Sequence, residues 1–454
     1  MSISIRLAIA AMLGTTAIWA VASSKPDHRL FEFGNPGLYD SRQDHLWNRL
    51  HRHFRTRIAP DGEVFGEDEI DPLLWLETKY LLTGSSYQKA IELLDEFLNT
   101  RAERLVADPV KRAVFQHDLW AVFDWLVTTT MRYPPQTRRP IEARELQARL
   151  AKVIQRVALT NEQIKALPDT YVGAIASKTF AGRYVPEHSK NAFLPPEIFN
   201  ATGPWVALNS VSGLTPLSHA RAFSHSAFAI MINLPDGREA TIDYLKRLWD
   251  FPQPFVADTT FPNERRLKLN PELPQLPIGT QVVLIRKMLL IDQAGEPVPS
   301  SLLESIQIRV FHQPSSVDYT HEPDFYGDQD FFEFRFTRRK LFARESGGLH
   351  AVGPNEKELP TFSSHGFDLF EGEHERAVWR RAPVVLNHCA SCHRNPGIHS
   401  VLITPRLVRP NPFLEWYDVQ SPYYAAADWK RTRYDWGLLQ RLLEAGNASN
   451  RRLR

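Results

Sequence analysis

Both cysteines of this 454-residue chain stand at one place, as Cys389 and Cys392 in Cys389-Ala390-Ser391-Cys392-His393. No disulfide framework can therefore fasten distant parts of the chain together. The fold has to rest on hydrophobic cores. The length is ample for two or three of them, and an apolar share of 43% is ordinary for a globular protein. The 33 prolines favour short elements joined by long ordered loops over one large helical bundle.

Periodicity changes character along the chain. Residues 73–167 read as helices. Ser85 with Gln88 has the capping-box pattern, and Ile91, Leu94, Leu98 and Leu105 follow at helical spacing. Asp108-Pro109 opens a second helix, whose face carries Val114, Leu119, Val122, Phe123 and Leu126; Trp120 and Trp125 read as core. Tyr133-Pro134-Pro135 ends it. A third helix is predicted over 140–157, and Thr160 with Gln163 caps a shorter one. His51 and His53 read as solvated imidazoles at a helix end. From 171 to 344 the chain turns β-rich. Residues 228–234 read as a buried strand, Pro235-Asp236-Gly237 as a turn, and 239–242 as a returning strand, with a helix over 243–249. Residues 282–285 form another apolar run, while 306–310 and 332–336 alternate with period two. After 345 glycines punctuate a loop-rich stretch, and residues 436–443 form an amphipathic helix. The fold class expected is α+β and multidomain: a helical bundle over 40–168, a β-rich domain over 169–344, and a mainly helical, loop-rich segment over 345–454.

The first residues carry a targeting pattern. Arg6 is a short basic region, residues 7–22 form an uncharged, mostly apolar run of 16, and Ala20-Val21-Ala22 is a small-x-small cleavage site. Residues 1–22 are expected to be a signal peptide, directing the chain to the periplasm or otherwise out of the cell. The run is short for a span of about 20 apolar residues; a membrane partner is expected only if it stays uncleaved. With 54 basic against 52 acidic residues the net charge is +2, which gives no support for nucleic acid or an anionic membrane surface as partner.

C-x-x-C-H is the attachment signature of a c-type haem. Two thiols three positions apart on a helical turn can each form a thioether to one vinyl group on the same porphyrin edge. The next residue then lies under the ring, where an imidazole can bind iron. The motif names Cys389 and Cys392 as covalent tethers and His393 as axial ligand of one haem. Other readings of C-x-x-C stay open. After the apolar Val384-Val385-Leu386 it could be a redox dithiol. It could be a disulfide, or a crowded zinc site with two of His388, His393 and His399. No Ser-His-Asp set, phosphate loop or carboxylate pair stands out.

The segment 387–397 resembles the haem-attachment region of c-type cytochromes. Pro396, three residues after His393, matches the proline loop of small cytochrome c domains, where a backbone carbonyl accepts the other imidazole proton. The resemblance covers only this segment. It implies one covalent haem c, single-electron transfer and a redox protein partner. The chain departs from the pattern in one respect: its methionines are Met1, Met12, Met131, Met231 and Met288, so none follows His393. The opposite face of the iron falls to His350, His365, His374 or Met288, with His365 in Ser363-Ser364-His365-Gly366 the first candidate, or it is left open. An open face implies a haem c enzyme or small-ligand sensor. Haem c peroxidases of the bacterial type carry two such motifs, and this chain has one. The third reading is a non-haem protein with a C-x-x-C disulfide.

Overall fold

The computed structural model describes residues 37–58, 64–68, 80–132, 139–188, 190–208, 217–257, 259, 267–312, 329–353, 358–363, 378–383, 397–401, 416–417 and 421–452. Local signals fix most of the early helices. In α1 (Leu46–Arg55) Trp47, Leu50 and Phe54 are buried; the Trp47 ring stacks on Phe115 with centroids 4.3 Å apart, and its Nε1–H donates to the Ala102 carbonyl at 2.8 Å. α2 (Gly84–Thr100) opens at Gly84, which has φ +55°, and Ser85 falls inside the first turn. The capping box expected at Ser85 therefore does not form; Thr83 is the N-cap and makes no side-chain cap bond.

α3 (Pro109–Arg132) starts as the sequence predicts, with the Lys111 N–H donating to Asp108 Oδ1 at 2.9 Å. α4 (Pro140–Val157) has the expected ends and inward residues. α5 (Asn161–Lys165) carries a complete capping box: the Thr160 N–H donates to Gln163 Oε1 at 2.9 Å, and the Gln163 N–H to Thr160 Oγ1 at 3.1 Å. α6 (Thr170–Ala176) is capped by Asp169.

The β-rich region builds a seven-stranded antiparallel sheet. Its strands are β1 (Val206–Leu208), β2 (Ser226–Asn233), β3 (Gln281–Ile291), β4 (Pro297–Phe311), β5 (Gln329–Phe336), β6 (Leu349–Ala351) and β7 (Trp416–Tyr417), in the spatial order β6-β5-β4-β3-β2-β1-β7. β2 pairs with β1 and β3, so the return strand expected over 239–242 does not exist. That stretch lies in α8 (Gly237–Trp249), after the short α7 (Leu217–Ala222). Tyr244, Leu245 and Leu248 are buried at helical spacing, and the Thr241 hydroxyl donates to the Gly237 carbonyl while accepting from the Leu234 N–H. The turn ends in a helix because the apolar period after it is 3.6, not two.

Alternation along β2 and β3 divides two cores. Ala227, Ala229, Met231, Val283 and Ile285 face the larger one, which continues into α1–α6 and thus across position 168. Ile232 and Val282 face the smaller one, closed by α8. The class is α+β, a sheet with helices on both faces. The described part of the C-terminal stretch adds to the sheet and to the helices. It contributes β6, β7 and a separate antiparallel pair, Glu358–Ser363 with Val378–Pro383. It also contributes α10 (Ile398–Val401), α11 (Ser421–Arg431) and α12 (Tyr434–Arg452), preceded by α9 (Arg338–Phe342). Trp436, Leu439 and Leu443 of α12 join the larger core. No described helix is long and apolar enough to cross a membrane.

Candidate functional site

α3 is buried without interruption from residue 113 to 124, yet it carries His117, Asp118 and Asp124 there. Polar groups in such a helix must find partners inside the protein. They do so in two clusters.

His117 and Asp124 lie two turns apart and therefore on one side of the helix. Asp124 meets Lys430, near the end of α11 and fully buried: Nζ lies 2.7 Å from Asp124 Oδ2, 2.6 Å from Asp435 Oδ2 and 2.9 Å from Ser224 Oγ. His225, just before β2, sits beside the same carboxylate, with Nδ1 3.4 Å from Asp124 Oδ2. Its ring meets that of His117 edge to face, with centroids 5.0 Å apart. His117 Nε2 is 3.1 Å from Glu304 Oε2, and the same carboxylate takes Arg286 Nη2 at 2.7 Å. Arg286 Nε donates to Ser226 Oγ at 3.0 Å, and its guanidinium lies over the Phe223 ring.

This chain of groups sets three carboxyl groups against one lysine and one arginine. Burial alone would push Glu304 up, but the charges of Arg286 and His117 outweigh it and bring the carboxyl down to about 2. Burial, then the charges of His117 and Arg286, push His225 well below the usual histidine range, so it is held neutral. Both of its ring nitrogens, with Asp124 Oδ1 and Asp435 Oδ1, are sealed and make no hydrogen bond. The arrangement places a neutral imidazole beside a dense set of buried charges. It also ties α11 and α12 to α3 and the sheet by charge.

Asp118 anchors the second cluster. Arg338 Nε donates to Asp118 Oδ2 at 3.1 Å, Arg55 and His51 each stand 3.7 Å from the carboxylate, and the Tyr39 hydroxyl is at 3.4 Å. Burial opposes the charged form of Asp118, but Arg338, Arg55 and His51 hold it far below the carboxylate range. His51 is therefore not the solvated imidazole its position suggested; it is buried, with Nε2 2.8 Å from the Glu67 carbonyl oxygen. Asp118, 67 positions later, draws it inward. His53 Nε2 lies 2.9 Å from the Ser86 carbonyl oxygen.

Cys389, Cys392, His393 and His365 lie outside the described residues, as do His388, His374 and residues 1–22. Met288 is a fully buried core side chain on β3. His350 lies on β6, opposite Arg335 of β5. The chain after the motif is described again from Gly397. The Ile398 N–H donates to Gln275 Oε1 at 2.6 Å, Arg309 Nη1 donates to Ser400 Oγ at 3.0 Å, and Ile398 packs in the smaller core. Among the described residues no three His, Cys, Asp or Glu side chains are grouped so as to hold a metal ion.

Sequence reasoning missed Asp124, Ser224, His225, Glu304 and Lys430. One signal was present: Gln116, His117, Asp118 and Asp124 fall among the apolar residues of one long helix. Comparison with protein-family models, curated proteins and solved structures gives no match.

Proposed function

We propose that the chain is an exported, monohaem c-type protein that transfers single electrons, with residues 345–454 as its haem segment and 1–22 as its signal peptide. The observation that carries this is the use of both cysteines in one C-x-x-C-H motif, Cys389 to His393. The donor set fits the group: two thiols for two vinyls, and an imidazole placed for the iron. A bound haem would supply a one-electron iron couple. Cys389 and Cys392 would tether it, which outside the cell prevents its loss, and His393 would ligate it. In the expected pattern a carbonyl beside Pro396 fixes the His393 ring.

The test is the pyridine haemochrome spectrum of protein made with haem-c maturation machinery. A c-type spectrum and haem stain surviving denaturation are expected, and Cys389→Ala with Cys392→Ala abolishes both. Absence of covalent haem in the unaltered chain sinks the reading and leaves the disulfide or dithiol. A second reading rests on the absence of methionine after His393: an open iron face, suited to an enzyme or small-ligand sensor. A carbon monoxide shift of the reduced spectrum supports it, and an unchanged spectrum supports the electron carrier.

A further inference from the structure

Lys287 stands apart from the other buried charges. It sits on β3 between two register shifts against β4, one at Arg286/Lys287 and one at Lys287/Leu289. Bulges of this kind re-aim a side chain, often beside a site. Here the ammonium is aimed between two aromatic faces: Nζ lies 4.3 Å from the ring centroid of Phe199 and 4.3 Å from that of Tyr423. Lys287 is 5% exposed. Every other buried lysine or arginine cation described above has a carboxylate partner. Lys287 has no ion pair or hydrogen bond among the described residues, and Asp169, the acid whose charge acts on it, is engaged as the N-cap of α6.

A second observation points the same way. The Tyr423 hydroxyl is sealed and makes no hydrogen bond, on a ring whose face the Lys287 amine covers. The Tyr171 hydroxyl nearby, in contrast, is satisfied by the Pro195 carbonyl. Phe199 is only partly buried and meets Tyr171 edge to face at 4.9 Å. An unpaired amine and an unpaired hydroxyl thus share one aromatic box. Burial lowers the amine to about 8, with Asp169 opposing, which leaves a useful neutral fraction near neutral pH. Burial, then Asp169, raises the Tyr423 hydroxyl well above its ordinary value, which keeps it a proton donor.

We propose that Lys287 and Tyr423 form a carbonyl-binding site that takes an apolar or aromatic aldehyde as an imine. The amine lone pair forms the C–N bond while the carbonyl π pair moves to oxygen. Tyr423 gives its proton to that oxygen and takes one from the nitrogen, which yields a neutral carbinolamine. The hydroxyl then leaves as water, protonated again through Tyr423, as the nitrogen lone pair forms C=N and its last proton returns to the phenolate. Amine and aldehyde give imine and one water, with no oxidant or reductant. Phe199 and the ring of Tyr423, with centroids 6.5 Å apart, give the amine apolar surroundings.

The test uses the full chain with benzaldehyde as probe, trapped by cyanoborohydride and mapped by mass spectrometry after cleavage at acidic residues. At pH 8, benzylation of Lys287 is expected at least tenfold faster than at the exposed Lys89 and Lys246. Tyr423→Phe, checked for unchanged circular dichroism, is expected to slow it about tenfold and leave the two surface lysines as they were. Labelling of Lys287 no faster than Lys89 and Lys246 in the unaltered protein overturns the site and leaves a structural cation between two rings. An undiminished rate in folded Tyr423→Phe overturns the role of the hydroxyl.

Discussion

Lys430 shows how much a single residue can carry. It bridges Asp124 and Asp435 with no access to water, so its removal strands two buried carboxylates. Lys430→Met is expected to cost about 3–5 kcal/mol, read by urea unfolding, and adding Asp124→Asn with Asp435→Asn should recover much of that loss. Glu304 gives a pH signature. Its folded carboxyl lies at about 2, below the ordinary 4.5, so the fold favours the charged form. The stability it confers is complete above pH 4.5 and drains away as pH falls toward 2. Glu304→Gln is therefore expected to be less stable at neutral pH and to lose less on acidification across that window, followed by circular dichroism. At this scale the candidate haem residues were legible and the buried network was not. Cys389, Cys392 and His393 are candidates through their spacing along five residues. Lys430 acts through Asp124, 306 positions away.

Elements were read well where their signals are local. Asp108-Pro109, the Thr160–Gln163 box and the ends of α4 all came from neighbours within a turn or two. Thr160→Ala removes the hydroxyl that satisfies the Gln163 N–H and is expected to cost about 1 kcal/mol in thermal unfolding. The helix expected over 243–249 is the later part of α8, but its start was misread as a strand because Glu239 to Ile242 is too short to show its period. Gly347 marks a contact that no local pattern announces. It has φ +62°, and a Cβ there would stand 1.9 Å from the Thr170 carbonyl oxygen and 2.7 Å from the Ala174 nitrogen, both backbone atoms of α6. Gly347→Ala is expected to destabilise by roughly 2–4 kcal/mol, from the positive φ and from forced separation of the two backbones; denaturant midpoints would show it.

Across the whole molecule, the larger core binds sequence-distant parts to one another. α3 and α4, the middle strands, and α11 with α12 all contribute to it. Removing residues 421–454 takes away Tyr423, Trp436, Leu439 and Leu443, worth roughly 6–12 kcal/mol of burial. That compares with a total stability of about 5–15 kcal/mol, so the shortened chain is expected to lose its cooperative unfolding transition, measured by tryptophan fluorescence. The sequence by itself determined the α+β class, the helices α2 to α5, the middle strands β2 to β5, and the one place where two thiols and an imidazole stand within five residues, because capping, periodicity and a short motif are properties of neighbours. Tertiary structure alone decided that β2 lies between β1 and β3, that His51 is buried, and that Lys430 joins Asp124 to Asp435. Strand order and charge pairing are chosen by packing among segments hundreds of residues apart, where burial forces every polar group to find whichever partner the fold brings to it.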